Sequence, residues 1–462
     1  MPAVSVGLKV SGRLGTESLV TKPVVGGRVL VRPDLPTPKR SLAKESRSTG
    51  SYTYYAGFSV AFASGALERM GLRRASVLLD PWVGSGTTTR VAQAAGHETI
   101  GTDINPAMLL VARAQQAPEL PKSRYRLVGT EILRRARGGQ SKEIDKKDPL
   151  STWLAPASAR AFRSLDEAIR RSVLGNSSAC LDYSVIGRYP HELAVSYVAL
   201  FRTLRRLLIG FFASNPTWVK APSKPAARLR PSSDLIFNVF RAELGTVIDR
   251  IEPTPLRIAP ATSHLILANS TRLPLKDNSV DAVLGSPPYC TRIDYAMATR
   301  LELAALSFSD EAFRALRDEA IGTPTVVSPP RTSPSDWGPS CRALLQAISG
   351  HRSKASSSYY RKVFSQYFDG LQRSLLEIAR VAKPRAPVLV VVQDSFYKDV
   401  HVDLQGIVID MTSLLGWTLH RRDDFLLPRT MAALNPRHRR YRGNSEATES
   451  VLQFYSAPGG RA

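Results

Sequence analysis

Residues 76–88 read Ser76-Val77-Leu78-Leu79-Asp80-Pro81-Trp82-Val83-Gly84-Ser85-Gly86-Thr87-Thr88. A short apolar run that ends in an acid and gives way to a glycine turn is the pattern of a strand buried on both faces of a parallel sheet. Thr87 to Ala95 is helix-compatible and stops at Gly96. Glu98-Thr99-Ile100-Gly101-Thr102-Asp103 is a second strand ending in an acid. Asn105-Pro106 then supplies a cap and a first-turn proline for the next helix. Strand, helix, strand, helix in close succession is a βαβ unit, so the fold class expected is α/β with a mostly parallel sheet.

The same rhythm extends in both directions. Upstream, Phe58, Phe62, Leu67 and Met70 lie at helical spacing, while residues 1–50 read as a basic arm that is at most partly ordered. Downstream, the pattern breaks at Pro118 and returns with strands at His264 to Ala268 and Ser279 to Gly285. A helix from Tyr360 to Ala382 precedes the run Val388 to Val392, and a last strand is expected from Ser450 to Tyr455. The division expected is an arm (1–50), a first half of the α/β domain (51–117), a largely helical basic insertion (118–260) and a second half (261–462). Within the second half, the Ser/Pro/Arg-rich stretch 322–358 reads as a mobile loop. In the insertion, the strongest helix runs from about His191 to Ala213. Leu193, Tyr197, Leu200, Leu204, Leu207, Leu208 and Phe211 form its apolar stripe, read as a helix packing on the sheet, and Arg202, Arg205 and Arg206 lie mostly off it, with phosphate contact left open as their alternative role.

The chain has 462 residues, 43% of them hydrophobic and 22% charged, which is a globular composition. The longest apolar stretch, around Leu204 to Ala213, is too short and too closely flanked by arginine for a membrane span. Cys180, Cys290 and Cys341 are far apart, which argues against a disulfide framework and a zinc ribbon, and no metal is expected. The opening MPAVSVGLKV lacks a signal-peptide core, so a cytoplasmic, nucleoid-associated location is expected. The formal net charge is +24 and the pI about 10.3, the footprint of a chain that meets phosphates. It is unevenly spread. Residues 118–260 hold 24 basic against 13 acidic side chains, and 331–462 hold 19 against 11, whereas 51–117 and 261–330 are near neutral. The neutral segments carry the motifs.

Gly84 and Gly86 let the backbone of the first loop approach a ligand, and N–H groups at the following helix start can meet a carboxylate or phosphate. The loop lacks the lysine of a P-loop and has Thr89 where a dinucleotide loop has its third glycine. Asp103 stands where an acid accepts from ribose hydroxyls. A ribose without a pyrophosphate fits S-adenosylmethionine as cofactor. Ser286-Pro287-Pro288-Tyr289 follows the Val280 to Leu284 run. An exocyclic base nitrogen is a poor nucleophile because its lone pair is delocalised. Accepting its two N–H groups on Ser286 Oγ and the Pro287 carbonyl would free that lone pair, with the Pro287-Pro288 pair keeping the geometry stiff. Tyr289 would stack on a base flipped out of the duplex. Cys290 is a poor candidate for a C5-cytosine nucleophile, since no proline precedes it.

In these motifs the chain resembles the S-adenosylmethionine-dependent amino-methyltransferases of DNA, which modify cytosine N4 or adenine N6. Asp80 to Thr88 is similar to their D-P-F-x-G-S-G-T-T motif, with Trp82 for Phe, and Asp103 stands at their second acid. Ala268 to Leu275 (ANSTRLPL) resembles their G-D-A-x-x-L-P-L stretch, which puts Asn269 near the cofactor adenine. Ser286 to Tyr289 is their tetrapeptide in the serine form associated with cytosine N4. Residues 54–62 faintly resemble their N-terminal motif, and Lys383 to Pro387 departs from their K-P-G-G turn. The resemblance implies a class I methyltransferase (Rossmann-like) fold with catalytic Ser286, Pro287, Pro288 and Tyr289. It implies cofactor contacts from Asp80, Gly84, Ser85, Gly86, Thr87, Asp103 and Asn269, and duplex DNA with a flipped base as partner. A restriction-modification or phage-defence setting follows from the same likeness. The competing expectations are adenine N6, an N2-guanine methyltransferase of RNA, and a catalytically silent basic DNA-binding protein. The family's recognition domain usually lies elsewhere in the motif order, so the role of 118–260 and the target sequence stay open.

Overall fold

A computed structural model of the protein describes residues 34–39, 57–117, 121–139, 147–175, 181–212, 218–251, 261–290, 293–327, 329–427 and 447–458. It also describes Val24–Val25, Arg28–Val29, Tyr52 and Asp145. Two compact units divide after Asp34. In the first, Val24–Val25 pairs antiparallel with Arg28–Val29. The second holds the sheet, the helices and the site.

Seven strands form one sheet: β1 (Val77–Asp80), β2 (Glu98–Asp103), β3 (Ser263–Leu267), β4 (Ala282–Gly285), β5 (Pro387–Gln393), β6 (Thr418–Leu427) and β7 (Ala447–Tyr455). Their spatial order is β3-β2-β1-β4-β5-β7-β6. The first five run parallel, and β7 lies antiparallel between β5 and β6. This is the class I methyltransferase order. Alternation along the strands sends side chains to two layers. Leu78, Ala282, Leu284, Leu389, Val391 and Val451 face α1 (Val60–Met70) and α2 (Thr87–Ala94). Leu79, Val283, Val388, Val390, Val392 and Leu452 face the opposite layer.

Helix α3 (Pro106–Gln115) follows β2 and is capped by Asn105, whose Oδ1 accepts from the Ala107 amide at 3.0 Å. The insertion then supplies α4 (Lys122–Gly138), α5 (Pro156–Leu174), α6 (His191–Leu207) and α7 (Ser233–Asp249). Together with α3 they bury a core that includes Leu193, Tyr197, Leu200 and Leu204. The arginines of α6 are engaged by acids. Arg202 and Arg206 reach Glu243 of α7 at 2.7 and 2.9 Å, and Arg205 forms a largely buried pair with Glu302. Burial of Glu243 demands counter-charges, and α6 provides them.

After β4 come α8 (Tyr295–Ala298), α9 (Arg300–Ala305) and α10 (Asp310–Glu319). The stretch 322–358, expected as a mobile loop, contains α11 (Gly338–Gly350), entered through a 3₁₀ turn at Pro334–Trp337. Cys341, Leu344, Leu345 and Ile348 give α11 an apolar face, buried with Trp337 against α12 (Arg361–Val381) and α13 (Leu404–Leu414). No helix among the described residues is long and apolar enough to cross a membrane.

Candidate active site

A cavity opens at the carboxyl ends of β1, β2, β3 and β4, beside the β1/β4 junction where the strand order reverses, the usual ligand position in open α/β sheets. Its lining joins the four loops that the sequence singles out: Asp80 to Ser85 with Thr87 and Thr88 after β1, Asp103 after β2, Asn269 after β3 and Ser286 to Tyr289 after β4. Gly86 is the exception, because it is not part of the lining. It caps α2 at φ +82°, and a Cβ there would lie 2.8 Å from the Ala112 Cβ. Its bareness lets the loop close onto α3.

Asp103 organises the loop directly. Its Oδ2 accepts from the Gly84 amide at 3.0 Å and its Oδ1 from the Asn105 amide at 2.9 Å. Burial pushes its carboxyl up to about 6, against the opposing pull of these amides. Burial likewise pushes Asp80 up to about 7, opposed by the Trp82 amide at 3.1 Å. Thr87 is 5% exposed, and its hydroxyl has no hydrogen-bond partner among the described residues. A buried hydroxyl without a partner at a helix start, on a cavity wall, suits a carboxylate ligand. Asn269 spends its Oδ1 on the Thr271 amide at 3.0 Å and hydroxyl at 2.9 Å, which shapes the loop.

In the second motif, Ser286 Oγ donates to the Val391 carbonyl at 2.9 Å. With its one proton committed there, the hydroxyl oxygen can only accept on its remaining side. The Pro288 carbonyl accepts from Tyr367 Oη at 2.9 Å, while the Pro287 carbonyl has no hydrogen bond among the described residues. The Tyr289 amide donates to Tyr295 Oη at 3.1 Å, and the Tyr289 hydroxyl to Glu449 Oε1 at 3.3 Å. Cys290 is buried and lies outside the cavity lining.

Several wall residues are not legible as site residues in the sequence. Tyr295 and Thr299 close one side, and Leu316, Glu319 and Ile321 form another. Phe58 also contributes, within the stretch that faintly resembles an N-terminal cofactor motif; Tyr54 and Tyr55 of that stretch lie outside the described residues.

Among curated proteins, the chain is similar to the Type II methyltransferase M.BsoBI of Geobacillus stearothermophilus, 26% identical over 288 residues that cover 57% of this chain and 53% of that protein. It is also similar to the Type II methyltransferase M.AvaI of Nostoc sp., 24% identical over 152 residues, 30% of this chain and 31% of that protein. The chain thus matches about half of the first relative's length and about a third of the second's. No family model matches. Among solved structures, the chain aligns with a SAM-dependent methyltransferase from Methanosarcina mazei (TM-score 0.30, 8% identity, covering 85% of this chain and 98% of that one). Another is a putative methyltransferase from Bacillus halodurans (TM-score 0.29, 8% identity, covering 86% and 99%).

Proposed function

We propose that the protein is an S-adenosylmethionine-dependent methyltransferase acting on an exocyclic amine of a DNA base, cytosine N4 before adenine N6, in a restriction-modification setting. The observation that carries the reading is the single cavity into which the Asp80 to Thr88 loop, Asp103 and the Ser286 to Tyr289 segment all project. Similarity to Type II methyltransferases supports it independently.

The residues present fit the cofactor. Asp103 would accept from the ribose hydroxyls, the unpartnered Thr87 hydroxyl with the loop amides would meet the methionine carboxylate, and the Asn269 loop would flank the adenine. The bound cofactor would supply an electrophilic methyl group on a sulfonium. The chain's own residues do the rest. The Ser286 oxygen, its proton held by Val391, accepts one N–H of the target amine, and the Pro287 carbonyl accepts the other. Both bonds strengthen as the nitrogen loses conjugation and gains positive charge, which lowers the barrier selectively. Tyr289 gives the flipped base a face to stack on. The test is mass spectrometry of nucleosides digested from DNA and RNA of an expressing host. The expected product is N4-methylcytosine in DNA. A methylated guanine in RNA would overturn the substrate, and no new methylated nucleoside would overturn the activity.

A further inference from the structure

The insertion holds 24 basic against 13 acidic side chains, and much of that charge is spent internally. Arg202, Arg205 and Arg206 are paired with buried acids. Arg163 binds Asp148 at 2.7 Å and caps the carbonyls of Ala304 and Ala305 at 2.9 and 2.7 Å. Arg170 is held by Asp166. Arg163, Arg170, Arg202 and Arg205 are mostly buried in these pairs, and only Arg206 among them is well exposed, its partner being the buried Glu243.

One groove differs. It runs between α4 and α7 and is bordered by Arg126, Arg134 and Arg137 from one helix and Arg241 from the other. Its floor is apolar, formed chiefly by Leu133, Leu244 and Ile248, and no acidic residue lines it. The helices meet closely at Gly129, where a Cβ would lie 2.4 Å from Leu244 Cδ2. Arg137 and Arg241 have no acidic partner among the described residues. Arg126 and Arg134 pair with Asp249 and Glu131 at 2.9 and 2.7 Å, but all four side chains are well exposed or at the surface. Exposed pairs of this kind contribute little and exchange readily for a stronger anion. Positions 126, 130, 133, 134 and 137 share one helix face, so the three α4 arginines form a row spanning about 16 Å at 1.5 Å per residue.

We propose that the α4/α7 groove is a docking surface for the sugar-phosphate backbone of duplex DNA, outside the catalytic cavity. The inference rests on the reading of the substrate as DNA and gives a place to the part of the chain that reading leaves unassigned. Arginine forks match phosphate oxygens bidentately, and a row of them tracks a polyanion rather than a single small ligand. The apolar floor is suited to the deoxyribose edges between phosphates. Contacts of this type add affinity and register but no sequence information.

The experiment measures equilibrium binding of the full chain to a mixed-sequence duplex oligonucleotide across a salt series, for the parent protein and for Arg137→Ala/Arg241→Ala. Two lost phosphate contacts should flatten the log–log salt slope by roughly 1.8, about 0.9 per contact, and weaken binding at low salt by about tenfold or more. Arg137→Lys/Arg241→Lys should retain most of the slope. Affinity for S-adenosylhomocysteine by calorimetry and the methylation rate at saturating DNA should be unchanged in both. An unchanged slope and affinity in the alanine variant overturn the groove while leaving the methyltransferase reading intact. A parent protein that methylates and binds RNA duplex but not DNA overturns the substrate reading itself. Loss of cofactor binding in the alanine variant also counts against the proposal, because it would make these arginines structural.

Discussion

The hydroxyl of Tyr289 donates to Oε1 of Glu449 at 3.3 Å, tying the proposed base-stacking ring to the antiparallel strand β7. Glu449 is 4% exposed, its Oε2 has no partner among the described residues, and burial pushes its carboxyl up to about 7. Tyr289 and the Lys39 charge act in the opposite direction and do not offset the burial. A carboxyl raised in the folded state favours folding most when it is protonated. Its contribution is therefore complete below the ordinary carboxylate range and is lost as the pH rises through about 7. Glu449→Gln keeps the shape and an acceptor for Tyr289 without the charge. Urea titrations should show the parent losing up to about 3 kcal/mol relative to this variant between pH 4 and pH 8.5, at about 1.4 kcal/mol per pKa unit. A constant difference across that range would mean that Glu449 does not titrate there.

Cofactor affinity should also depend on pH, with the opposite sense. Asp103 and Asp80 are raised to about 6 and about 7, so below pH 6 both are largely neutral. A cationic ligand that donates to Asp103 prefers the ionised forms, and binding should tighten as the pH rises through 6 to 7. Calorimetry with S-adenosylmethionine at pH 5.5 and 8 reads this directly. Asp103→Ala should weaken binding by about ten- to a hundredfold, the loss of a charge-assisted hydrogen bond worth about 1.5–3 kcal/mol. Because Asp103 also holds the Gly84 amide, Asp103→Asn should fall between the two. Binding of ATP or NAD in place of S-adenosylmethionine would remove the basis of the assignment.

What the sequence reveals follows burial and spacing. Val77 to Asp80 and Val388 to Val392 are readable because strands buried on both faces leave an uninterrupted apolar run. The edge strand β6 is not, because Thr418 to His420 are exposed and the four charged residues that follow, Arg421 to Asp424, pair among themselves along the strand, as Arg422 does with Asp424 at 2.8 Å. Helix α11 is hidden for another reason. Its core-facing residues sit among serine, proline and arginine, and composition outweighs periodicity in the reading. The cavity motifs are legible since backbone approach and rigid exits demand glycine and proline. Glu449, Tyr295 and Thr299 enter the site only through tertiary packing, which no local pattern encodes.

The pair Arg205–Glu302 joins the insertion to the segment that follows the Ser286 motif. Glu302 is 1% exposed and also accepts from Tyr52 Oη at 2.7 Å, while an Arg205 Nη2 contact reaches Glu302 Oε2 at 3.1 Å. Arg205→Ala leaves a buried carboxylate with only the tyrosine as partner. Chemical denaturation should show a loss of about 3–5 kcal/mol, the cost of breaking one side of a buried pair. Arg205→Met/Glu302→Met should recover most of it, because the stranded charge is gone. Equal losses in the two variants would show that packing rather than charge dominates at this position.

The Ser286 series tests the chemistry most sharply. Ser286→Ala removes the acceptor that Val391 orients, so the methylation rate should fall while affinity for S-adenosylhomocysteine stays nearly constant, since the hydroxyl acts on the nucleophile alone. Tyr289→Ala should instead weaken capture of the flipped base, by about 1–3 kcal/mol for a stacking contact. It also frees Glu449, so its stability must be followed in parallel. Ser286→Asp places a larger charged acceptor beside the Pro287 carbonyl. If serine fits the site to cytosine, N4 methylation should drop in this variant and adenine should gain access. Oligonucleotides with a single target type, followed by identification of N4-methylcytosine, N6-methyladenine or C5-methylcytosine, separate these outcomes. Cys290→Ser should leave the rate unchanged, because Cys290 is buried outside the cavity lining. C5 methylation that is abolished by Cys290→Ser and untouched by Ser286→Ala would place the nucleophile on carbon rather than nitrogen, and the amine mechanism would fall.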